Sequence, residues 1–325
     1  TPQQAELVTR LDWHFQSTEE VYKNTSDLAT SQDDLSRKLH DILKHGGLNY
    51  RRRDHEMWAI APLVVGMYEY QVNRMSSQFV ADLNQYWQSP KADAPVRDRP
   101  RQMRVIPIGQ TITPDNRIAR FEDITHIVDS AQDSIALLEC ICRKKRAMDG
   151  HSCERTARAE SCIAFRDFAE QCIEQGAGRR ISKDEAYDAL AESQAEGLVL
   201  MPSNSKTAEF VCSCCPDCCG AFAGLKYADA PAQVALNNYQ ASVDAQECIG
   251  CRSCEGICPI EAVQLRNDTA VVDLKRCIGC GVCVVRCETG AIRLEPKADS
   301  VTPPDTLDDL YELYDTLRQP TQESE

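Results

Sequence analysis

The sequence predicts an α+β multidomain protein: a helix-and-hairpin N-terminal domain, a cysteine-rich α/β middle domain and a small duplicated C-terminal domain. Three observations predict it. Cys248-Ile-Gly-Cys251-Arg-Ser-Cys254-Glu-Gly-Ile-Cys258 returns 29 positions later as Cys277-Ile-Gly-Cys280-Gly-Val-Cys283-Val-Val-Arg-Cys287. All 18 cysteines lie between residues 140 and 287. Residues 5–60 show helical apolar spacing and then a strand-like stretch. A length of 325 residues accommodates two or three domains. The expected division is 1–90, a linker at 91–111, 112–239, 240–297 and an acidic tail at 298–325.

In the first domain, Leu7, Val8, Leu11 and Phe15 have helical spacing over 5–15. Ser26 can cap a short helix carrying Leu28 and Ala29. Ser31 can cap the next, whose stripe is Leu35, Leu39, Ile42 and Leu43, and Gly46-Gly47 ends it. Residues 49–60 read as a hairpin with Arg51-Arg52-Arg53 at its start, and 64–87 as one longer helix. The stretch 89–100, rich in proline, arginine and aspartate, marks a boundary. Residues 104–108 read as extended, laid across a neighbouring domain or subunit.

In the middle domain, 121–132 reads as a helix and 134–142 as a strand ending in Cys140-Ile-Cys142. A basic turn follows at 143–146. Residues 155–173 read as a helix with Cys162, Phe165, Phe168 and Cys172 near one face. Gly176-Ala-Gly178 stops it, and Ser182-Lys-Asp-Glu185 is a capping box for the next helix. Residues 198–200 read as a strand. Cys212-Ser-Cys214-Cys215-Pro-Asp-Cys218-Cys219 reads as a loop wrapped round metal, because a helix cannot turn so many adjacent thiols toward one ion. The tail from 298 holds eight acidic residues and one basic residue. Its Leu307, Leu310, Tyr311, Tyr314 and Leu317 form an amphipathic face that docks on this chain or on a partner.

Each half of the repeat is C-x2-C-x2-C-x3-C. Three thiolates from one tight loop fit three corners of an iron–sulfur cube, and the fourth cysteine ligates the other cluster. Cys248, Cys251, Cys254 and Cys287 are therefore expected to hold one 4Fe–4S cluster, and Cys277, Cys280, Cys283 and Cys258 a second. Zinc also uses C-x2-C pairs, but two complete tandem runs favour the cubes. Pro259 follows the first run, whereas Glu288 stands at the matching place in the second. A carboxylate there is expected to lower the adjacent potential.

Ten cysteines precede the repeat. Cys140, Cys142, Cys153, Cys162, Cys212, Cys214, Cys215, Cys218 and Cys219 are candidate metal ligands, and Cys172 is the candidate spare, packed as a small core residue. One or two further iron–sulfur clusters, structural zinc or a dithiol pair all fit this set. Spacing alone does not say which cysteines share a site.

Residues 240–296 resemble two-cluster ferredoxins, and residues 5–60 resemble a winged helix. Cys140-Ile-Cys142-Arg143, Cys153, Cys162, Gly176-Ala-Gly178-Arg179, Gly197-Leu198-Val199, Asn204 and the 212–219 cysteines widen the resemblance to a family of 4Fe–4S-binding proteins from anaerobes. In that family a winged-helix-like region precedes a cysteine-rich middle and a ferredoxin domain. The resemblance implies an electron-transfer subunit of an oxidoreductase complex, a hetero-oligomer with a flavoprotein or a metal-dependent enzyme, rather than the catalytic subunit; the close cysteine pairs, which suit metal better than disulfides, point to a reducing cytoplasm. The alternative is a redox-sensing transcription regulator reading DNA through Arg37, Lys38 and His40.

The net charge of −14, from 36 basic and 50 acidic residues, argues against nonspecific nucleic-acid binding. Residues 31–58 hold six basic and five acidic side chains, which is no phosphate-binding field. The longest apolar run, 59–68, is too short to span a bilayer, and the charged 1–15 stretch carries no signal-peptide pattern. Neither a nucleotide-phosphate loop nor a nucleophile elbow is present.

Overall fold

The computed structural model describes residues 1–89, 101–108, 120–131 and 134–318. Most of the expected linker, the start of the middle domain near Ile112 and the last seven residues lie outside the described residues.

Helix α1 (Pro2–Thr9) begins at Thr1, which makes a reciprocal capping box with Gln4. It ends well before Phe15, because Asp12 turns the chain by accepting the Trp13 N–H at 2.6 Å. After a two-residue β1 (Gln16–Ser17), Ser17 and Glu20 cap α2 (Thr18–Thr25). The helix expected after Ser26 thus lies before it, and Ser26 is where α2 stops. Helix α3 (Gln32–Lys44) starts at Ser31 and buries Leu35, Leu39, Ile42 and Leu43, as its stripe predicts. Gly46, at φ +75°, turns the chain out of it. Strands β2 (Leu48–Arg52) and β3 (Glu56–Ile60) form the hairpin, and β1 pairs with β3.

The long helix expected at 64–87 is not formed. Pro62, two β-branched valines and Gly66 (φ +157°) make an irregular stretch with a cis Val64–Val65 peptide. Glu69 Oε2 folds back to accept the Gly66 N–H at 2.7 Å. A new cap at Ser76 then starts α4 (Ser77–Trp87), the only part of the span that is regular helix.

Among the described residues, the span expected as the 121–132 helix holds a short 3-10 turn (Arg120–Glu122) and then α5 (Ile124–Asp129), capped by Asp123. Strand β4 (Ile135–Glu139) leads into α6 (Ile141–Met148), so Cys142 and the basic run lie on a helix rather than on a strand and turn. The helix expected at 155–173 divides into β5 (Glu160–Phe165) and α7 (Arg166–Glu174). Cys162 and Phe165 satisfy helical spacing in sequence, but on β5 they face opposite sides of the sheet. Next come β6 (Gly178–Arg180), α8 (Lys183–Ala195), β7 (Val199–Pro202) and β8 (Phe210–Cys214). The capping box between Ser182 and Glu185 is present at the start of α8.

These strands make one antiparallel sheet, ordered β6-β4-β5-β8-β7. Ile135, Leu137, Ile163, Phe165 and Val211 pack one face toward α5 and α8. Ala136, Leu138 and Ala164 line the other, under α7 and residues 61–83. The N-terminal region therefore contributes directly to covering the cysteine-bearing face. Residues 103–108 run beside β7 as an extra extended segment. The Ile106 N–H donates to Leu200 O at 3.2 Å and the Ile108 N–H to Cys280 O at 3.2 Å, tying the sheet to the C-terminal repeat.

After α9 (Gly220–Lys226) and α10 (Pro231–Val234), the repeat unfolds as two near-copies. Strands β9 (Tyr239–Val243), β10 (Val263–Arg266), β11 (Thr269–Val272) and β12 (Ile292–Pro296) alternate with short helices α11 (Ser253–Ile257) and α12 (Val282–Val285). Val263 pairs with Val272, and Ile292 with Val243: Ile292 is the repeat equivalent of Val263 and Val272 that of Val243, so the two halves exchange equivalent strands. The tail helix α13 (Leu307–Arg318) docks on its own chain, where Leu307, Leu310 and Tyr311 meet Val65 and Phe210. No helix of the described residues is long and apolar enough to cross a membrane.

Candidate metal centres

The two cysteine loops of the repeat are built alike. Gly250 and Gly279 both adopt left-handed φ, near +67° and +65°, as do Arg252 and Gly281. A Cβ on Gly279 would lie 2.2 Å from Tyr239 O, and one on Gly250 2.6 Å from Asp268 O. The glycines thus let the second loop close against β9 and the first against the turn between β10 and β11. The Ala241 N–H points at Cys277 Sγ and the Ala270 N–H at Cys248 Sγ, both at 3.4 Å. Such N–H···S contacts stabilise thiolates and tune cluster potentials.

Cys258 comes from the first loop but lines one cavity with Cys277, Cys280 and Cys283 of the second. The rest of that lining is mainly apolar, including Ile260, Val263 and Leu294. Burial pushes the Cys280 and Cys283 thiols up, and the field of Cys258 adds to it. Cys287 in turn lies in the field of Cys251 and Cys254. Four convergent soft donors in an apolar pocket, with backbone donors on the sulfurs, fit a 4Fe–4S cube. The two sets differ in setting. Cys277, Cys280 and Cys283 are buried, whereas Cys251 is exposed and Cys248 and Cys287 are half-buried.

Residues 247–292 match the family model of a 4Fe-4S dicluster domain. This part of the chain is a 4Fe–4S dicluster domain. The chain is accordingly an iron–sulfur protein, and no curated protein matches it.

Upstream of the dicluster domain, the sheet gathers nine further cysteines into two groups. Cys140 at the end of β4, Cys142 on α6, Cys162 on β5, Cys212 and Cys214 on β8, and Cys219 before α9 form a closed ring of side-chain hydrogen bonds. Cys219 Sγ lies 3.4 Å from Cys214 Sγ. Hydrogen bonds from two ring neighbours draw Cys140, Cys212 and Cys219 below the ordinary thiol range, Cys212 to about 6. Their ring neighbours Cys142, Cys162 and Cys214 are pushed up. Cys153, Cys215 and Cys218 form the second group together with Asp217. The expected loop at 212–219 is therefore half strand, and its alternation sends Cys212 and Cys214 into the ring while the turn carries Cys215 and Cys218 elsewhere.

Cys172 stays apart from both groups, in the apolar cluster with Tyr70, Ala169 and Ala177. Asp217 and Arg143 were not singled out as site residues from the sequence. Asp217 was legible only as part of the Cys215-Pro-Asp-Cys218 turn, and Arg143 as one of a basic run.

Arg143 is buried between the two groups. Burial works against its charge, but the fields of Cys140, Cys162, Cys215 and Cys153 raise its pKa overall. Its guanidinium donates to Ser161 Oγ and, at 3.5 Å, to Ser213 O, while Nε has no protein partner. A buried cation without a carboxylate needs an anionic neighbour. Metal–thiolate centres supply that charge, so the donor set fits soft metal ions.

Tyr68 and Glu69, from the irregular N-terminal stretch, face the ring. Glu69 is pushed up to about 8, first by burial and then by the fields of Cys212 and Cys140. In the same N-terminal region several basic residues are already matched. His40 Nε2 lies 2.6 Å from Glu56 and Lys38 Nζ 2.9 Å from Asp34. Arg51 is gripped by Asp308 at 2.5 Å and Glu209 at 3.0 Å, and stacks over Phe15.

Proposed function

We propose that this chain is an iron–sulfur electron-transfer subunit of an oxidoreductase assembly, passing single electrons between a donor and a partner enzyme. When bound, 4Fe–4S cubes supply one-electron redox chemistry at low potential. The observation that carries the reading is the unequal embedding of two near-identical cysteine loops. Cys251 is exposed and Cys248 and Cys287 are half-buried, where a partner can approach, whereas Cys277, Cys280 and Cys283 are buried. One contiguous apolar cluster joins those inner cysteines to Cys214 and Cys219 of the ring through Val199, Met201 and Phe222. That cluster excludes water between the sites and supports a connected route. The six-thiol ring is read as holding a further iron–sulfur centre, covered by Tyr68 and the sheet.

Residues 1–60 are read as a winged-helix-like module whose work is packing and docking. The matched charges at His40, Lys38 and Arg51 count against the regulator reading, as does the acidic balance.

Anaerobic isolation from the native host, with iron and sulfide analysis and identification of co-purifying chains, tests this. Iron clearly above about eight per chain, with an oxidoreductase subunit attached, is expected. Colourless, sulfide-free protein with zinc on the eight repeat cysteines would overturn the reading. A low-salt gel shift with the holo-protein should show no cluster-dependent DNA complex.

A further inference from the structure

We infer that Cys153, Cys215, Cys218 and Asp217 bind a single zinc ion in a tetrahedral S3O site, separate from the iron–sulfur centres. Their four ligand atoms all lie within 4.8 Å of one another. Zinc bonds of about 2.3 Å to sulfur and about 2.0 Å to oxygen, at tetrahedral angles, place S···S near ~3.8 Å and S···O near ~3.5 Å. Cys153 Sγ lies 3.6 Å from Cys215 Sγ and 3.8 Å from Asp217 Oδ1. These are the edges of a one-ion cage. Among the described residues it is this group, and not the six-thiol ring, that meets the 4.8 Å limit.

The carboxylate is already oriented. Asp217 Oδ2 accepts the Glu154 N–H at 2.8 Å, which leaves Oδ1 turned toward Cys153. A backbone donor on the far oxygen is the outer-shell support that metal-binding carboxylates use. Cys215 is fully buried and Cys218 nearly so, and Cys153 and Asp217 are half-buried. Four protein ligands fill a tetrahedral zinc, so the ion is structural and, being redox-inert, takes no electrons.

Its work is to pin a loop. Cys153 lies in the 149–159 stretch, which has neither helix nor strand, whereas the other three ligands follow β8 in the turn before α9. One ion joins positions 62 residues apart. It also fixes the segment between α6, which carries Cys142 and Arg143, and β5, which carries Cys162. Arg143 lies in the fields of Cys153 and Cys215 and offsets the negative charge that three thiolates and a carboxylate leave on a dication.

The full chain, isolated anaerobically, is expected to carry about one zinc beside its iron. Asp217→Ala and Cys153→Ser should each reduce zinc by about tenfold or more while iron, sulfide and the visible spectrum stay as in the parent. X-ray absorption at the zinc edge of the parent, which needs no variant to fold, should read three sulfurs and one oxygen. Absence of zinc from the parent, loss of iron instead of zinc in the variants, or an edge spectrum with four sulfurs would each overturn the assignment.

Discussion

Gly279 has no room for a side chain. Its would-be Cβ overlaps Tyr239 O, and its φ of +65° is one that other residues adopt at a cost. Gly279→Ala is expected to lose about four irons per chain, those of the inner set, with Cys248, Cys251, Cys254 and Cys287 still loaded. Gly256→Ala is the control, because nothing lies within 4 Å of a Cβ there. Iron and sulfide analysis of both variants checks this. Glu288 is exposed beside Cys287. Removing its charge in Glu288→Gln should raise the midpoint of the adjacent centre by on the order of tens of millivolts, a modest shift because water screens an exposed charge. The other midpoint should not move in a potentiometric titration; unchanged values for both would end the idea.

Among the elements, α13 and the β2–β3 hairpin are joined by Arg51. This guanidinium, 17% exposed, holds Asp308, Glu209 and Asp167 from three separate parts of the chain. Arg51→Ala should destabilise the fold by about 2 kcal/mol, because it strands the half-buried Glu209 carboxylate as well as releasing α13. Chemical denaturation measures it. Glu209 adds a pH signature. Burial raises its pKa above 4.5, although Arg51 pulls the other way. A group raised in the folded state contributes stability that is present at low pH and lost as pH rises through its folded value. The parent should therefore lose stability relative to Glu209→Gln as pH climbs above about 4.5. Denaturation of the pair between pH 4 and pH 8 checks the sign; a difference that is flat or grows with pH would contradict it.

The same elements separate what was legible in sequence from what was not. Ser31, Ser182 and the glycines after their helices act through partners three or four positions away, so α3 and α8 could be read directly. The repeat was legible for the same reason, since each loop's geometry is local. Ser26 misled because Ser17 had the better partner in Glu20. Cys162 and Phe165 misled because their three-residue spacing suits a helix, while β4 and β8 on either side hold the segment as a strand. The grouping of ten cysteines into six, three and one depends on which strands pair and which face each side chain takes. No spacing rule carries that information, and Asp217 enters only through the turn that brings it to Cys153.

At the scale of the molecule, the pieces converge on one buried cysteine-rich face. The N-terminal stretch covers the ring, residues 103–108 tie the sheet to the inner loop, and the dicluster domain packs on the end of α8. There, Arg286 donates to Ala195 O at 2.5 Å, and a Cβ on Gly197 would lie 2.9 Å from Ile257. Around the outer set, Ile249, Val271 and Leu274 are exposed apolar side chains. Ile249→Asn should slow electron exchange with the partner by about tenfold while leaving iron content and midpoints unchanged, since a neutral polar side chain there removes apolar docking surface without adding charge beside Cys248. Stopped-flow reduction with the co-purified partner measures it.

The exposure of Cys251 has a further consequence, for ageing in air. Oxygen reaches the solvent-facing cube first, whereas Cys280 and Cys283 are shielded on every side. Bleaching should then run in two stages, fast and slow, and the fast stage should already silence the protein. A stored sample can keep most of its brown colour and have lost the cube that meets the partner.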